Sequence, residues 1–470
     1  MGLTRVVLTG AVAAALALTS AVAACGSDSG APDPVSVRSS GTSTISAPAA
    51  RRSARPAAWP GYHGGGTHAG VASMARATSP HVTRRVALDG AVYASPIAVD
   101  GLIVVATEND SLYALDRHGR IHWHVRLGTP SPGAQRPCGN IDPLGITGTP
   151  VYSARTHSVY VVAETGSGGV RHTLVSVGLR HGHVRWRRSV DLPGRDATVM
   201  QQRGALAVTG GRVWVTFGGL AGDCGDYVGR LIGVPQTGRG ASVHYDVPTA
   251  RGAGMWQPSG PTVDARGHLL VAVGNGAAGS GDRYDHSDSV LKLTRSARPT
   301  QYFAPANWAA DNEGDVDLGS VGPALVTKKW IVQGGKSGIV YVLRQRHLGG
   351  IGGQVSSADI CQVFGGTAVR GSVVYLPCTD GVRAVHVDRH GRLHTRWRVA
   401  SGAPGSPVVG GGRVWVLDPD RGTLDVVRPS SGAVAATLDV GVTSRFATPA
   451  LYGRSVVVPT LSGVTFVRTR

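Results

Sequence analysis

The chain is short of the residues that build long helices and aromatic cores. Among 470 residues there are only 5 phenylalanines and 4 methionines, while 68 glycines and 27 prolines interrupt it throughout. Glycine and proline are poor inside helices and frequent in turns, which excludes a helical bundle. Lysine is scarce, so nearly all positive charge is arginine, and 29 Asp and Glu against 47 Lys and Arg leave a formal net charge of +18. The arginines are scattered along the sequence, paired mostly at strand edges, with no recognition helix or aromatic RNA motif; nucleic acid is therefore not an expected partner. GxSxG, HExxH and Walker sequences are absent, and "GNGAAG" (274–279) is followed by "SGDRYD" rather than a helix, so it is not a dinucleotide loop. Hydrophobic content of 42% is ordinary for a folded chain.

The N-terminus carries the most specific signal. After Arg5 the run "VVLTGAVAAALALTSAVAAC" ends in small residues before Cys25, a stretch that reads as an export signal rather than a span. Val22-Ala23-Ala24-Cys25 resembles the bacterial lipobox, in which the cysteine is acylated and becomes the first residue. This predicts a signal peptide over 1–24, lipidation of Cys25, and a disordered linker over 25–58 rich in Ser, Ala, Pro and Arg. The protein is then extracytoplasmic, held by its acyl chains on the outer leaflet of the cytoplasmic membrane. In that oxidising compartment Cys138, Cys224, Cys361 and Cys378, which lack CxxC spacing, are expected to form disulfides. A hairpin turning near Gly371 would set Cys361 opposite Cys378, leaving Cys138 for Cys224.

From residue 59 one unit recurs. It has a short apolar strand, a Gly turn, a Val-rich strand, a loop, an alternating strand, a second turn and often a Trp-bearing strand. "ASPIAVDGLIVVATENDSLYALDRHGRIHW" is the first copy and "FATPALYGRSVVVPTLSGVTFV" the eighth, which stops without a fourth strand. Eight four-stranded units at a period of roughly 40 to 60 residues predict an all-β, eight-bladed β-propeller over 59–470. "HVTRRVAL" (81–88) resembles the missing strand and is expected to complete the last blade, closing the ring and removing an exposed edge.

These repeats resemble the PQQ-like (quinoprotein-type) propeller repeat, and "WPGYHGGGTHAG" looks like the lead-in that often precedes its first blade. The resemblance implies either of two roles, since the repeat occurs in quinone-dependent dehydrogenases and in non-catalytic lipoproteins, including the scaffold of the outer-membrane β-barrel assembly machinery. For a dehydrogenase it implies Asn275 of "VAVGNG" as a calcium ligand, Asp317 of "DVDLGSVGP" as catalytic base and calcium neighbour, and Lys336 of "GGKSGIVYVL" against the quinone (PQQ) oxygens. Two departures weigh against it: the family's adjacent cysteine pair is missing, and its calcium-binding Glu falls in "GDCGDY", where Asp223 or Cys224 stands instead.

If the first strand of each unit lines the channel, the loop entering it and its second-to-third loop share a rim. Cys138, Cys224, Asn275, Asp317, Lys336, Cys361 and Cys378 all fall on that rim. The acidic stretch Asp311, Glu313, Asp315, Asp317 and the group Asp282, Asp285, Asp288 read as solvated loops or arginine partners, since neither has EF-hand spacing. The expected function is non-catalytic binding or scaffolding in the cell envelope by a monomer, its partner an envelope protein or a wall polymer. The alternatives are a PQQ- and calcium-dependent alcohol or sugar dehydrogenase and recognition of wall polysaccharide.

Overall fold

In a computed structural model, which describes residues 57–470, the strands form eight sheets. The expected signal peptide, the lipidation at Cys25 and all but the end of the 25–58 linker lie outside the described residues. The first blade runs outward through Ile97–Val99, Leu102–Ala106, Ser111–Leu115 and Ile121–Arg126. The inner strands Val151–Ser153, Ala207–Thr209, Thr262–Val263 and Ala324–Val326 open the second to fifth blades. Ala368–Arg370, Val408–Gly410 and Ala450–Tyr452 open the sixth to eighth. Short additions lengthen three blades, among them Val71–Ala72 beside the inner strand of the seventh.

Blades stack face to face, so middle strands are buried on both sides and read as continuous apolar runs. Leu102–Ala106 and Ser158–Thr165 accordingly show no in-and-out alternation: residues 103–106 and 158–164 are all buried. Each large apolar side chain among them contributes about 2 kcal/mol. Outer strands keep the two-residue period, as Ile121–Arg126 and Val184–Ser189 do. Their tryptophans reach the next blade: Trp123 Nε1 donates to Leu179 O at 2.9 Å, Trp186 to Gln236 O at 3.2 Å and Trp397 to Pro429 O at 2.8 Å. Gly182, at φ +70°, lies under the Trp123 ring, where a Cβ would come within 2.7 Å of it. That contact explains why a Trp and a turn Gly recur together.

The eighth blade holds Ala450–Tyr452, Ser455–Thr460 and Gly463–Arg468, and His81–Ala87 pairs antiparallel with the last of these, Val82 opposite Val467 and Val86 opposite Val464. The ring is closed by the chain's own beginning, as the repeat pattern predicts.

The lead-in crosses the channel. Its carbonyls accept the N–H of the middle or last residue of five inner strands: Trp59 from Ala98, Pro60 from Tyr152, Gly66 from Val263, Ala69 from Val369 and Gly70 from Val409. Inner strands would otherwise present unpaired edges to the axis. Gly70 is required there, because a Cβ would meet His63 Nδ1 at 2.9 Å and Ala368 Cβ at 3.0 Å. His63 stacks on Tyr62 at 4.2 Å and spans Thr367 O and Thr448 Oγ1 at 2.9 and 2.8 Å. Burial lowers its pKa to about 3.

Cys138 is bonded to Cys224 across two blades and Cys361 to Cys378 within one. The first spans 86 residues and the second 17, so chain entropy assigns them about 4–5 and about 3 kcal/mol. Paired Cys→Ala variants compared by urea unfolding should show the larger loss for Cys138 with Cys224.

Candidate functional site

Strand direction puts the entering loops and the second-to-third loops on one rim, here called upper, and the hairpin turns of each blade on the other. On the upper rim the fifth blade brings Asp317 and Lys336 together: Lys336 Nζ lies 2.9 Å from Asp317 Oδ2 and 2.5 Å from Asp315 Oδ1. Asp317 is 0% exposed, and its Oδ1 accepts the Gly319 N–H at 2.6 Å. Two glycines allow this closeness. A Cβ on Gly335 would meet Asp317 O at 2.6 Å, and one on Gly319 would meet Gly274 N at 2.6 Å. Burial pushes the Asp317 carboxyl up while Lys336 pulls it back. Burial alone would lower Lys336, but Asp317 and Asp315 outweigh it and hold the ammonium above its ordinary value.

Asp288 and Asp311 belong to the same cluster. Asp288 is 0% exposed, accepts the Leu318 N–H at 2.8 Å, and is raised well above the usual carboxylate value by burial, then by Asp317 and Asp311. Asp311 is raised by burial as well. The solvated-loop reading of these stretches is thus corrected for Asp285, Asp288, Asp311 and Asp317, which are buried, and it holds for Asp282, Glu313 and Asp315, which are exposed. The reason is the short helix Trp308–Glu313, which the sequence pattern did not suggest and which turns Asp311 and Asn312 inward. Asn312 ties the two loops, accepting from Gly276 N at 3.0 Å and donating to Ser287 Oγ at 2.7 Å.

Asn275 lies on the same rim. Its backbone carbonyl accepts the Ala253 N–H at 2.6 Å, while its Oδ1 is buried without a partner. Asp223 accepts from Tyr227 Oη at 2.5 Å, and Cys224 is spent in its disulfide. Among the described residues no three of His, Cys, Asp and Glu are grouped as metal ligands. Calcium wants about six to eight oxygens. The orphaned Asn275 oxygen and a carboxylate already matched by an ammonium do not supply them, so the donor set does not fit that ion.

Beside the cluster the channel mouth is a cavity of about 150 Å³, lined by Arg203, Trp256, Lys336, Phe364, Arg445 and Phe446 among others. The cations lie over rings: Arg445 is 4.4 Å from the Phe364 centroid, Arg203 5.1 Å from Phe446 and Lys336 5.8 Å from Trp256. Arg203 Nε donates to Trp256 O at 2.9 Å, and burial lowers its pKa to about 10. A narrower cavity of about 60 Å³ continues inward, sharing Arg203 and Phe446 and floored by Tyr62. The mouth can take an anionic or aromatic group. It is well below the roughly 300–1,000 Å³ of pockets that enclose drug-sized ligands, so the residues present do not fit the quinone as a fully enclosed group. Sequence reasoning missed Arg203, Trp256, Phe364, Arg445 and Phe446. Their one shared signal is position, since each stands in a loop entering a blade.

An eight-bladed ring closed by its own N-terminal strand, with a blocked channel and a charged mouth, defines the class: a closed, all-β propeller. Residues 71–221 match the family model described as outer membrane protein assembly factor BamB. Among solved structures, quinohemoprotein alcohol dehydrogenase from Comamonas testosteroni shares 15% identity at a TM-score of 0.71, over 89% of this chain and 81% of its own. Quinohemoprotein alcohol dehydrogenase ADHIIG from Pseudomonas putida HK5 shares 13% at 0.67, over 88% and 80%. BamB from Moraxella catarrhalis shares 14% at 0.57, over 83% and 100%. No curated protein matches the chain. The architecture is that of the PQQ-like β-propeller, with dehydrogenases and an assembly factor both among its structural neighbours.

Proposed function

We propose that this chain is an extracytoplasmic lipoprotein whose propeller binds a partner in the cell envelope and performs no redox chemistry. The observation that carries the reading is the state of Asp317. A general base must reach the proton it removes, whereas this carboxylate is 0% exposed, capped by Gly319 N–H and matched by Lys336. The upper rim instead offers the cationic and aromatic mouth, held by a rigid ring suited to presenting loops. Acylation of Cys25 supplies the attachment, and the family match to an assembly factor agrees with a scaffolding role.

A second reading, a quinone-dependent dehydrogenase, draws support from Asn275, Asp317 and Lys336 sharing one rim. Purified protein titrated with PQQ and calcium, then offered alcohols and sugars, should reduce no dye. Substrate-dependent reduction that disappears in Asp317→Asn would establish the dehydrogenase and remove the binding reading. Palmitate labelling in cells, lost in Cys25→Ser, checks the anchor separately.

A further inference from the structure

The arginines that are scattered along the sequence are gathered in space. They recur in the hairpin turns of the blades, and the fold puts every such turn on the lower rim. Arg117, Arg180, Arg239 and Arg295 stand there in the first four blades, all exposed. Lys328, Arg389, Arg428 and Arg454 occupy the turns of the fifth to eighth, exposed likewise. None of these eight forms an ion pair among the described residues; the lower-rim pairs are Arg120–Asp116, Lys292–Asp264 and two made by histidines.

Carboxylates divide the opposite way. The lower turns hold only Asp100, Asp116, Asp264 and Asp388 among the described residues. Three of them serve the turn itself. In the twin "DRHGR" turns Asp116 Oδ1 accepts His118 N and Arg120 N at 2.7 and 2.9 Å, and Asp388 Oδ1 accepts His390 N and Arg392 N at 2.8 and 2.9 Å. Asp264 does the same for Arg266 N and His268 N at 2.8 and 2.9 Å. The remaining described carboxylates, from Asp89 to Asp439, lie in or beside upper-rim loops. Several hold cations there, as Asp246 holds Arg230 and Asp418 holds Arg421. The excess positive charge of the described residues is therefore carried mainly by one face.

We infer that the lower rim is a docking face for anionic phospholipid headgroups, setting the propeller flat on the membrane with its mouth turned outward. A ring of short turns is broad enough to rest on a surface, whereas a strand of nucleic acid calls for a groove. Between the fourth, fifth and sixth blades this face opens into a cleft of about 730 Å³ lined by Arg266, Lys292, Lys328 and Arg346, of a size to seat a headgroup phosphate. Lys292 there is held by Asp264 at 3.1 Å and donates to Gln345 O at 2.9 Å, which fixes the cleft wall across two blades. The choice of a membrane over another polyanion rests on the lipoprotein reading, because an acylated Cys25 keeps the disc beside headgroups. The charge asymmetry stands without it.

The test uses residues 57–470, which contain every blade and both disulfides but not Cys25. Sedimentation with vesicles should show binding to mixed phosphatidylglycerol and phosphatidylcholine at low salt and none to phosphatidylcholine alone. Bound protein should be released in about 0.5 M salt, which shortens the Debye length to a few ångström. A basic residue near such a surface is worth about fivefold in affinity. The double variant Arg117→Glu with Arg239→Glu should therefore lose at least about twentyfold, while the upper-rim pair Arg171→Glu with Arg283→Glu should bind as the parent does. Equal binding to neutral vesicles, or equal loss in the two doubles, would overturn the inference. Capture of soluble duplex DNA with vesicles ignored would overturn the membrane as occupant. Failure of palmitate labelling in the full chain would instead count against the anchor alone.

Discussion

A chain beginning at residue 89, without lead-in and closing strand, is expected to lose cooperative unfolding and to self-associate. Two effects combine. The first is loss of the burial of Trp59 and Tyr62, 1% and 2% exposed, together with the carbonyls that pair five inner strands. At about 2–3 kcal/mol for each large side chain, and about 1 for each hydrogen bond, this reaches the roughly 5–15 kcal/mol that separates a folded domain from its unfolded state. The second is exposure of Gly463–Arg468 as a free edge, a template for pairing with another molecule. The two can be separated. A chain starting at residue 81 restores the edge strand without the channel lead-in, and should recover a cooperative melt at a lower midpoint with less association. Circular dichroism on heating and size-exclusion chromatography give both readings. A monomeric 89–470 chain that melts within a few degrees of the parent would show that the ring is held by blade-to-blade packing alone.

The same contrast shows what the sequence could reveal. Blade number, strand order and the closing segment were legible because each depends on local chemistry: Gly turns, Val runs with no alternation, and a last unit one strand short. The path of "WPGYHGGGTHAG" through the channel was not, since its partners are backbone N–H groups of strands up to hundreds of residues away, such as Val409 for Gly70. Asp317 and Lys336 could be placed on one rim from strand direction. Their neighbours Asp288 and Asp311 looked like solvent-facing residues because nothing local reports that Trp308–Glu313 folds a turn of helix over them. The charged lower face was hidden for a simpler reason. Turns of opposite rims alternate along the chain, so cations and carboxylates that lie on opposite faces are interleaved in sequence.

The second large effect is a fall in stability between pH 6.5 and about 9. Around the upper end of the second blade a buried group comprises Glu108, Asp110, Glu164 and His172, at 2%, 0%, 1% and 0% exposure, with the His172 ring edge-on to Phe217 of the third blade. His172 Nδ1 lies 2.7 Å from Asp191 Oδ1 and Nε2 3.2 Å from Glu164 Oε2, and Arg136 Nε is 4.0 Å from Glu164 Oε1. Burial would lower His172, but hydrogen bonds to Asp191 and Glu164 outweigh it and raise its pKa from 6.5 to about 9. Burial raises Glu108 to about 7, against the pull of Gly145 N–H and Thr147, and raises Asp110 to about 8 with help from Glu108 and Glu164. All three bind protons more tightly folded than unfolded. Stability therefore falls with rising pH wherever the folded state holds the extra proton. For His172 that contribution is complete below 6.5 and gone above about 9, roughly 3 kcal/mol at about 1.4 per unit; Asp110 and Glu108 act in the same direction up to their folded values.

His63 and His68, lowered to about 3 by burial, act with the opposite sign, but their contribution is lost only as pH falls below 6.5 and is constant above it. Repulsion within a chain of net charge +18 eases as pH rises toward neutrality of charge, which would raise stability. A fall in the urea midpoint from pH 6.5 to about 9 therefore reports groups that hold an extra proton when folded, the His172 group together with the raised Asp288 on the upper rim, and the His172 and Asp110 variants single out the former. In His172→Gln the overall stability should drop and the slope against pH should flatten, with Asp110→Asn flattening it further below about pH 8. A midpoint that is constant or rises over this interval would mean that these side chains are not protonated in the folded ring, and that Glu164 and Asp191 hold a neutral imidazole.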